Sequence, residues 1–113
     1  MQEHIRRHLE GALRVVTLIG AFTDDARFED YVADDLLKSA VERQFQIIGR
    51  ILTAVSREDS ATATALPHLD TFIELGEALT QHHDGTDDQR LWNIVENELP
   101  ALGIVLWHLL EPR

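Results

Sequence analysis

Apolar side chains recur along this chain at the three-and-four spacing of amphipathic helices, and nowhere at the alternation of a strand. Ile5, Leu9, Ala12, Leu13, Val16 and Ile19 predict a helix over about residues 2 to 20, with Gly20 placed to end it. Thr23 then reads as the N-cap of a short helix running through Tyr31, with two acids in its first turn. The longest periodic segment starts near Asp34 and Asp35 and carries Leu37, Ala40, Val41, Phe45, Ile48, Ile51, Leu52 and Val55 on one side, which predicts a central core helix. The stretch SREDSATATALP has small and turn-forming residues without a period, so it reads as a connection. A further helix is expected from about Pro67, carrying Leu69, Phe72, Ile73, Leu75 and Leu79 and ending at His82-His83-Asp84-Gly85. Thr86 is the expected N-cap of the last helical segment, whose apolar positions run from Leu91 to Leu110. Pro100 lacks an N–H, which predicts a kink or a fresh start near Asn97.

The expectation is therefore all-α: an antiparallel bundle of five or six helices around a four-helix core, in a single domain spanning residues 1–113. No internal repeat is visible. The run ALGIVLW near the end is apolar on all sides, and such a helix in a small domain is commonly covered by a second subunit, so a homodimer is expected.

Charge narrows the partners. Ten Lys and Arg against twenty Asp and Glu give a net charge of -10, which opposes diffuse attraction to phosphate backbones or anionic lipid and leaves only a local basic patch to do so. The chain has no cysteine, which excludes disulfides and thiolate zinc sites and points to a reducing compartment. Its first residues mix charged and apolar side chains, unlike a secretory signal, and no run reaches the ~18 apolar residues of a membrane span. A soluble, cytoplasmic protein is expected.

Candidate chemistry is sparse. His82, His83 and Asp84 can supply a general acid or base with a neighbouring carboxylate, or simply a favourable helix C-terminus. His4 and His8 have the i, i+4 spacing of two metal ligands, but no third ligand lies nearby in sequence and no metal is expected; solvent-facing polar residues are the plainer reading. His68 reads as a helix-start residue and His108 as a partly buried side chain. Arg43, Arg50 and Arg57 repeat every seven residues and form a narrow stripe on the long helix, which suits phosphate contact or ion pairs with Glu42 and Asp59. Glycine-rich phosphate loops and Ser-His-Asp ordering are absent, so no cofactor is expected.

Two phrases, SAVERQFQIIGRIL in the long helix and LWNIVENELPAL near the end, resemble the HepT-like family, and the similarity extends over most of the chain. The resemblance implies a homodimeric helical ribonuclease, the toxin half of a toxin-antitoxin pair, silenced by a nucleotidyltransferase antitoxin that adenylylates a tyrosine. It also implies a catalytic arginine and histidine, the first stabilising charge on RNA phosphate and the second moving the proton of the ribose 2′-hydroxyl. Counting back from DDQRLWNIV, the arginine slot falls on Gly76, the asparagine that often follows it on Glu77, the histidine on Gln81 and the modified tyrosine on His83. None of the four is retained. His82 and His83 are the nearest replacements for the histidine, and Arg90 for the arginine; Arg43, Arg50 and Arg90 are the candidate phosphate contacts. The expectation is a HepT-like toxin component with weakened or lost ribonuclease activity. Its alternatives are a non-catalytic helical subunit binding a nucleotidyltransferase or its nucleotide, and a stand-alone dimer without a toxin role.

Overall fold

The computed structural model describes residues 1–81 and 87–111, and every regular element among them is helical. The order is α1 (Glu3–Phe22), α2 (Phe28–Ala33), α3 (Asp35–Glu58), α4 (Ser60–Thr64), α5 (Leu69–Gln81), α6 (Asp88–Asn93), a π-helical turn (Ile94–Glu98) and α7 (Leu99–Leu110). α3 lies at the centre, packed on α1 and on α5, while α7 lies along α1. One hydrophobic core joins Ile5, Leu9 and Ile19 of α1, Phe45, Ile48 and Leu52 of α3, Phe72 and Leu75 of α5, and Leu102 and Leu106 of α7. Each of these side chains is worth about 1.5–3 kcal/mol when fully buried, and together they decide which faces meet.

Several local expectations are corrected. α1 does not stop at Gly20 but continues to Phe22. Thr23 closes that helix instead of opening the next: its backbone N–H and its hydroxyl both donate to the Ile19 carbonyl. The chain then turns through Asp25, whose φ of 61° is a left-handed conformation that aspartate tolerates better than most residues. α2 starts only at Phe28 and places Tyr31 in the core against Trp92, with ring centroids 5.2 Å apart.

The stretch read as a plain connection holds α4, because Asp59 caps it by accepting from the Thr62 backbone N–H at 3.0 Å and from its hydroxyl at 2.8 Å. α6 is likewise capped by Asp87, which accepts from the N–H groups of Gln89 and Arg90 and takes the role expected of Thr86. Pro100 is accommodated without the kink or fresh start expected near Asn97: the backbone stays helical from Asp88 to Leu110, and a π-helical turn over Ile94–Glu98 leads into α7 with Pro100 in its first turn, where a missing N–H is tolerated.

At the closest approach of α3 and α5, Gly49 faces Gly76. A methyl group added at Gly76 would stand 3.0 Å from Gly49 Cα and 3.1 Å from the Phe45 carbonyl oxygen. One added at Gly49 would stand 3.0 Å from Gly76 Cα and 3.3 Å from the Phe72 carbonyl oxygen. Both helices write the same pattern, F-x3-G-x3-T, as Phe45, Gly49, Thr53 and as Phe72, Gly76, Thr80. The two phenylalanine rings stack at 6.5 Å, and each threonine hydroxyl donates to the carbonyl of the glycine four residues before it. The crossing is thus built twice from one short motif, a local repeat that hydrophobic periodicity does not reveal.

Candidate functional site

The bare glycine crossing leaves an open groove of about 560 Å³ between α3 and α5. One wall carries Gln46, Arg50, Thr53 and Arg57 of α3; the other carries Glu77, Thr80 and Gln81 of α5, with Gly49 and Gly76 along the floor. Helical spacing explains the walls. Arg50 and Arg57 are two turns apart on the solvent side of α3, and Glu77 and Gln81 are one turn apart on α5.

Much of the groove's polar surface is already engaged. The Gln46 amide donates to the Leu79 carbonyl at 3.1 Å, and Gln46 Oε1 lies 3.4 Å from the Arg43 guanidinium. Thr53 and Thr80 are tied to Gly49 and Gly76. Glu58, at one end, has His4 Nε2 at 3.2 Å and His8 Nε2 at 3.5 Å on the same carboxylate oxygen. Among the described residues Arg50, Arg57, Glu77 and Gln81 make no such side-chain bond or ion pair.

The sequence candidates divide clearly. Gly76, Glu77 and Gln81, the slots that the family resemblance assigned to arginine, asparagine and histidine, all line this groove, together with Arg50 and Arg57. Gly76 is buried, while Glu77 and Gln81 are exposed. Arg43 and Arg90 are exposed but line no part of the groove, and Arg90 takes part instead, through its backbone N–H, in the cap of α6. His82 and His83, with Asp84 and Thr86, lie outside the described residues.

Among the described residues the arginine stripe makes no ion pair with Glu42 or Asp59, the alternative to phosphate contact. Asp59 is committed to capping α4, and Glu42 belongs to a different cluster, with Lys38, Asp88 and Tyr31. There Lys38 Nζ donates to Asp88 Oδ2 at 3.1 Å, and this hydrogen bond holds the lysine above its ordinary pKa. Burial pushes the Glu42 carboxyl upward, with Asp88 adding to the effect and Lys38 opposing it. Burial, followed by the charges of Glu42 and Asp88, also raises the Tyr31 hydroxyl, which has no hydrogen-bond partner among the described residues.

Of the remaining histidines, His68 stands at the start of α5 as expected, whereas His4, His8 and His108 depart from expectation. His4 and His8 face the Glu58 carboxylate across the α1–α3 packing and are not simply solvated, because α1 lies along the end of α3. Among the described residues no group of three His, Asp or Glu side chains is disposed to hold a metal ion. His68 adopts φ 58° just before α5 and directs Nδ1 to Glu98 at 3.7 Å. His108 is exposed, since it lies on the outer side of α7 beside Trp107. Ile104 and Trp107 on that side are 60% and 59% exposed, large values for such residues.

Comparison with known proteins agrees with the resemblance. The family described as Ribonuclease HepT-like matches residues 12–108. A protein of Thermococcus cleftensis named "Probable ribonuclease HepT" is 26% identical over 102 residues, covering 90% of this chain and 92% of its own length. No solved structure gives a significant match. With the groove and the slot positions inside a matched span that covers most of the sequence, the chain belongs to the HepT-like ribonuclease family.

Proposed function

We propose that this chain is a HepT-like toxin-antitoxin component descended from an RNA-cleaving toxin, with its ribonuclease activity weakened or lost, and that a nucleotidyltransferase antitoxin is its partner. The observation carrying the loss is Gly76. The arginine slot is buried in a helix crossing whose opposing atoms are backbone, so charge is missing there and the space for it is taken. Glu77 beside it places a negative charge where RNA phosphate would come, and Gln81 cannot exchange a proton near neutral pH. His82 and His83 are the remaining candidates for proton transfer, and Arg50 for phosphate contact.

The reading is tested by incubating purified protein with single-stranded RNA beside the Thermococcus relative. Cleavage at the relative's rate would overturn the loss of activity. If residual cleavage is found and is unchanged in the His82→Ala/His83→Ala double variant, neither histidine has replaced the missing one. Co-expression with a neighbouring nucleotidyltransferase should yield a complex that survives purification. The second reading, a non-catalytic subunit binding a nucleotidyltransferase or its nucleotide, is favoured by the two arginines of the groove, which need no proton-transfer group to hold a phosphate.

The same proposal includes a single domain over residues 1–113, an antiparallel four-helix core of α1, α3, α5 and α7, a cytoplasmic location, and a homodimer. Exposed Ile104 and Trp107 support the dimer, and sedimentation should give twice the 12.8 kDa chain mass. No helix among the described residues is long and apolar enough to cross a membrane.

A further inference from the structure

Once the internally engaged groups are set aside, the groove offers a ligand four side chains: the guanidinium groups of Arg50 and Arg57, the carboxylate of Glu77 and the amide of Gln81. Seven residues separate the arginines, a rise of about 10 Å along α3, and their long side chains can converge on one anionic group between them. Glu77 opposes them from α5, with Gln81 one turn further on. Each group has a natural complement. Guanidinium binds phosphate in a two-pronged fashion, a carboxylate accepts from the neighbouring hydroxyls of a ribose, and an amide both donates and accepts, as a base edge requires. A volume of about 560 Å³ lies within the range of small-molecule sites, roughly 300–1,000 Å³.

Charge decides between a single nucleotide and a polymer. Any strand longer than the groove would run onto the surface of a chain with net charge -10, where screening acts only beyond about 8 Å. A single nucleotide keeps its phosphate beside the two arginines and presents no further charge. We propose that the α3–α5 groove binds a ribonucleoside monophosphate, with Arg50 and Arg57 on the phosphate, Glu77 on the ribose hydroxyls and Gln81 on the base. This rests on the reading of the groove as the family's functional groove with its arginine and histidine slots altered. Glycine at Gly49 and Gly76 then has a second use, since a floor without side chains lets the sugar approach the helix backbones.

Calorimetric titration of the intact protein with AMP, GMP, CMP and UMP, their 2′-deoxy counterparts and inorganic phosphate tests the proposal. At least one ribonucleotide should bind, and more tightly than its deoxy form and than phosphate. Arg50→Ala and Arg57→Ala should each weaken binding by about tenfold or more. Glu77→Gln should reduce the preference for ribose over deoxyribose while phosphate affinity is kept. All three side chains are exposed or outside the core, so circular dichroism should report an unchanged fold.

The proposal is overturned if no monophosphate binds, if phosphate alone binds as tightly as any nucleotide, or if binding survives removal of both arginines. Equal affinity for ribose and deoxyribose forms removes the role of Glu77 and overturns it too. Capture of the nucleotidyltransferase by the same preparation separates the two levels. Capture without nucleotide binding overturns the nucleotide site and leaves the family role intact; nucleotide binding without capture or RNA cleavage supports the site and overturns the role.

Discussion

Substituting Gly76 by alanine isolates the contact on which both the fold and the proposed loss of chemistry depend. The added methyl group meets Gly49 Cα at 3.0 Å and the Phe45 carbonyl oxygen at 3.1 Å, and both are backbone atoms of a helix buried in the core. No side chain can swing aside, so α3 and α5 must separate by a few tenths of an ångström along their contact. Overpacking of this kind costs about 1–3 kcal/mol. Against it stands the helix preference of alanine over glycine, about 0.8–1.0 kcal/mol. Gly20→Ala supplies the reference. It also lies inside a helix, but a methyl group there meets nothing within 4 Å, so only the favourable preference remains. The two variants should therefore differ by about 1–3 kcal/mol, with Gly20→Ala above the parent and Gly76→Ala below it.

Urea and thermal denaturation followed by far-ultraviolet circular dichroism measure this difference, with each kcal/mol moving the midpoint by roughly 3–6 °C for a domain of this size. Gly49→Ala should resemble Gly76→Ala, and the double variant should cost less than the sum, because one separation of the helices relieves both contacts. If Gly76→Ala proves as stable as Gly20→Ala, the crossing is not tight and the account of the missing arginine fails with it. The functional corollary is that Gly76→Arg, which restores the family's charge at this slot, destabilises the protein and does not restore RNA cleavage.

Other substitutions probe separate parts of the structure. Asp59→Ala removes the cap of α4 and should lower the melting temperature. Hydrogen bonds from the backbone and then the side chain of Thr62 hold this carboxyl below its ordinary range, so its contribution is present above about pH 4 and lost as pH falls through the folded-state pKa. The difference from the parent should be constant from pH 5 to 8 and shrink in acid. Glu42→Gln should have the opposite dependence: the carboxyl is raised by burial, so its charged form is disfavoured in the folded state, and the substitution should raise the melting temperature at pH 7 and lose this effect near pH 4. Leu52→Ala, at a fully buried position of α3, should cost about 2–5 kcal/mol in urea denaturation without altering nucleotide or partner binding.

The long helices were legible in the sequence because their buried faces repeat with the helical period. Phe45, Ile48, Leu52 and Val55 are all buried, as the stripe on α3 requires. α4 was not legible, since its Ser-Ala-Thr-Ala-Thr run buries only Ala63 and owes its start to a cap. Thr23 and Asp87 show the same limit, because a capping residue is defined by the backbone turn that it joins and not by its type alone. At the site, the spacing of Arg50 and Arg57 marked one wall, but only the packing of α5 brings Glu77 and Gln81 opposite them. Gly76 stood out in the sequence only through the arginine slot that the resemblance assigns to it. That it is also a helix contact could have been suspected from the recurrence of F-x3-G-x3-T, but the pairing of the two copies depends on tertiary structure.

The π-helical turn over Ile94–Glu98 has a consequence for insertions and deletions. Leu91 and Leu110 are both buried although 19 positions separate them. At about 100° per residue, an uninterrupted α-helix would leave them roughly 100° out of phase. By absorbing one extra residue the turn brings the interval to about five whole turns, and a single apolar stripe continues through α6 and α7. Removing one residue between 94 and 98 would therefore keep the stripe aligned, but it would place Pro100 inside an unbroken helix, where proline costs about 3 kcal/mol. Deletion together with Pro100→Ala should be tolerated where deletion alone is not, so chain length and proline at this point form one coupled choice.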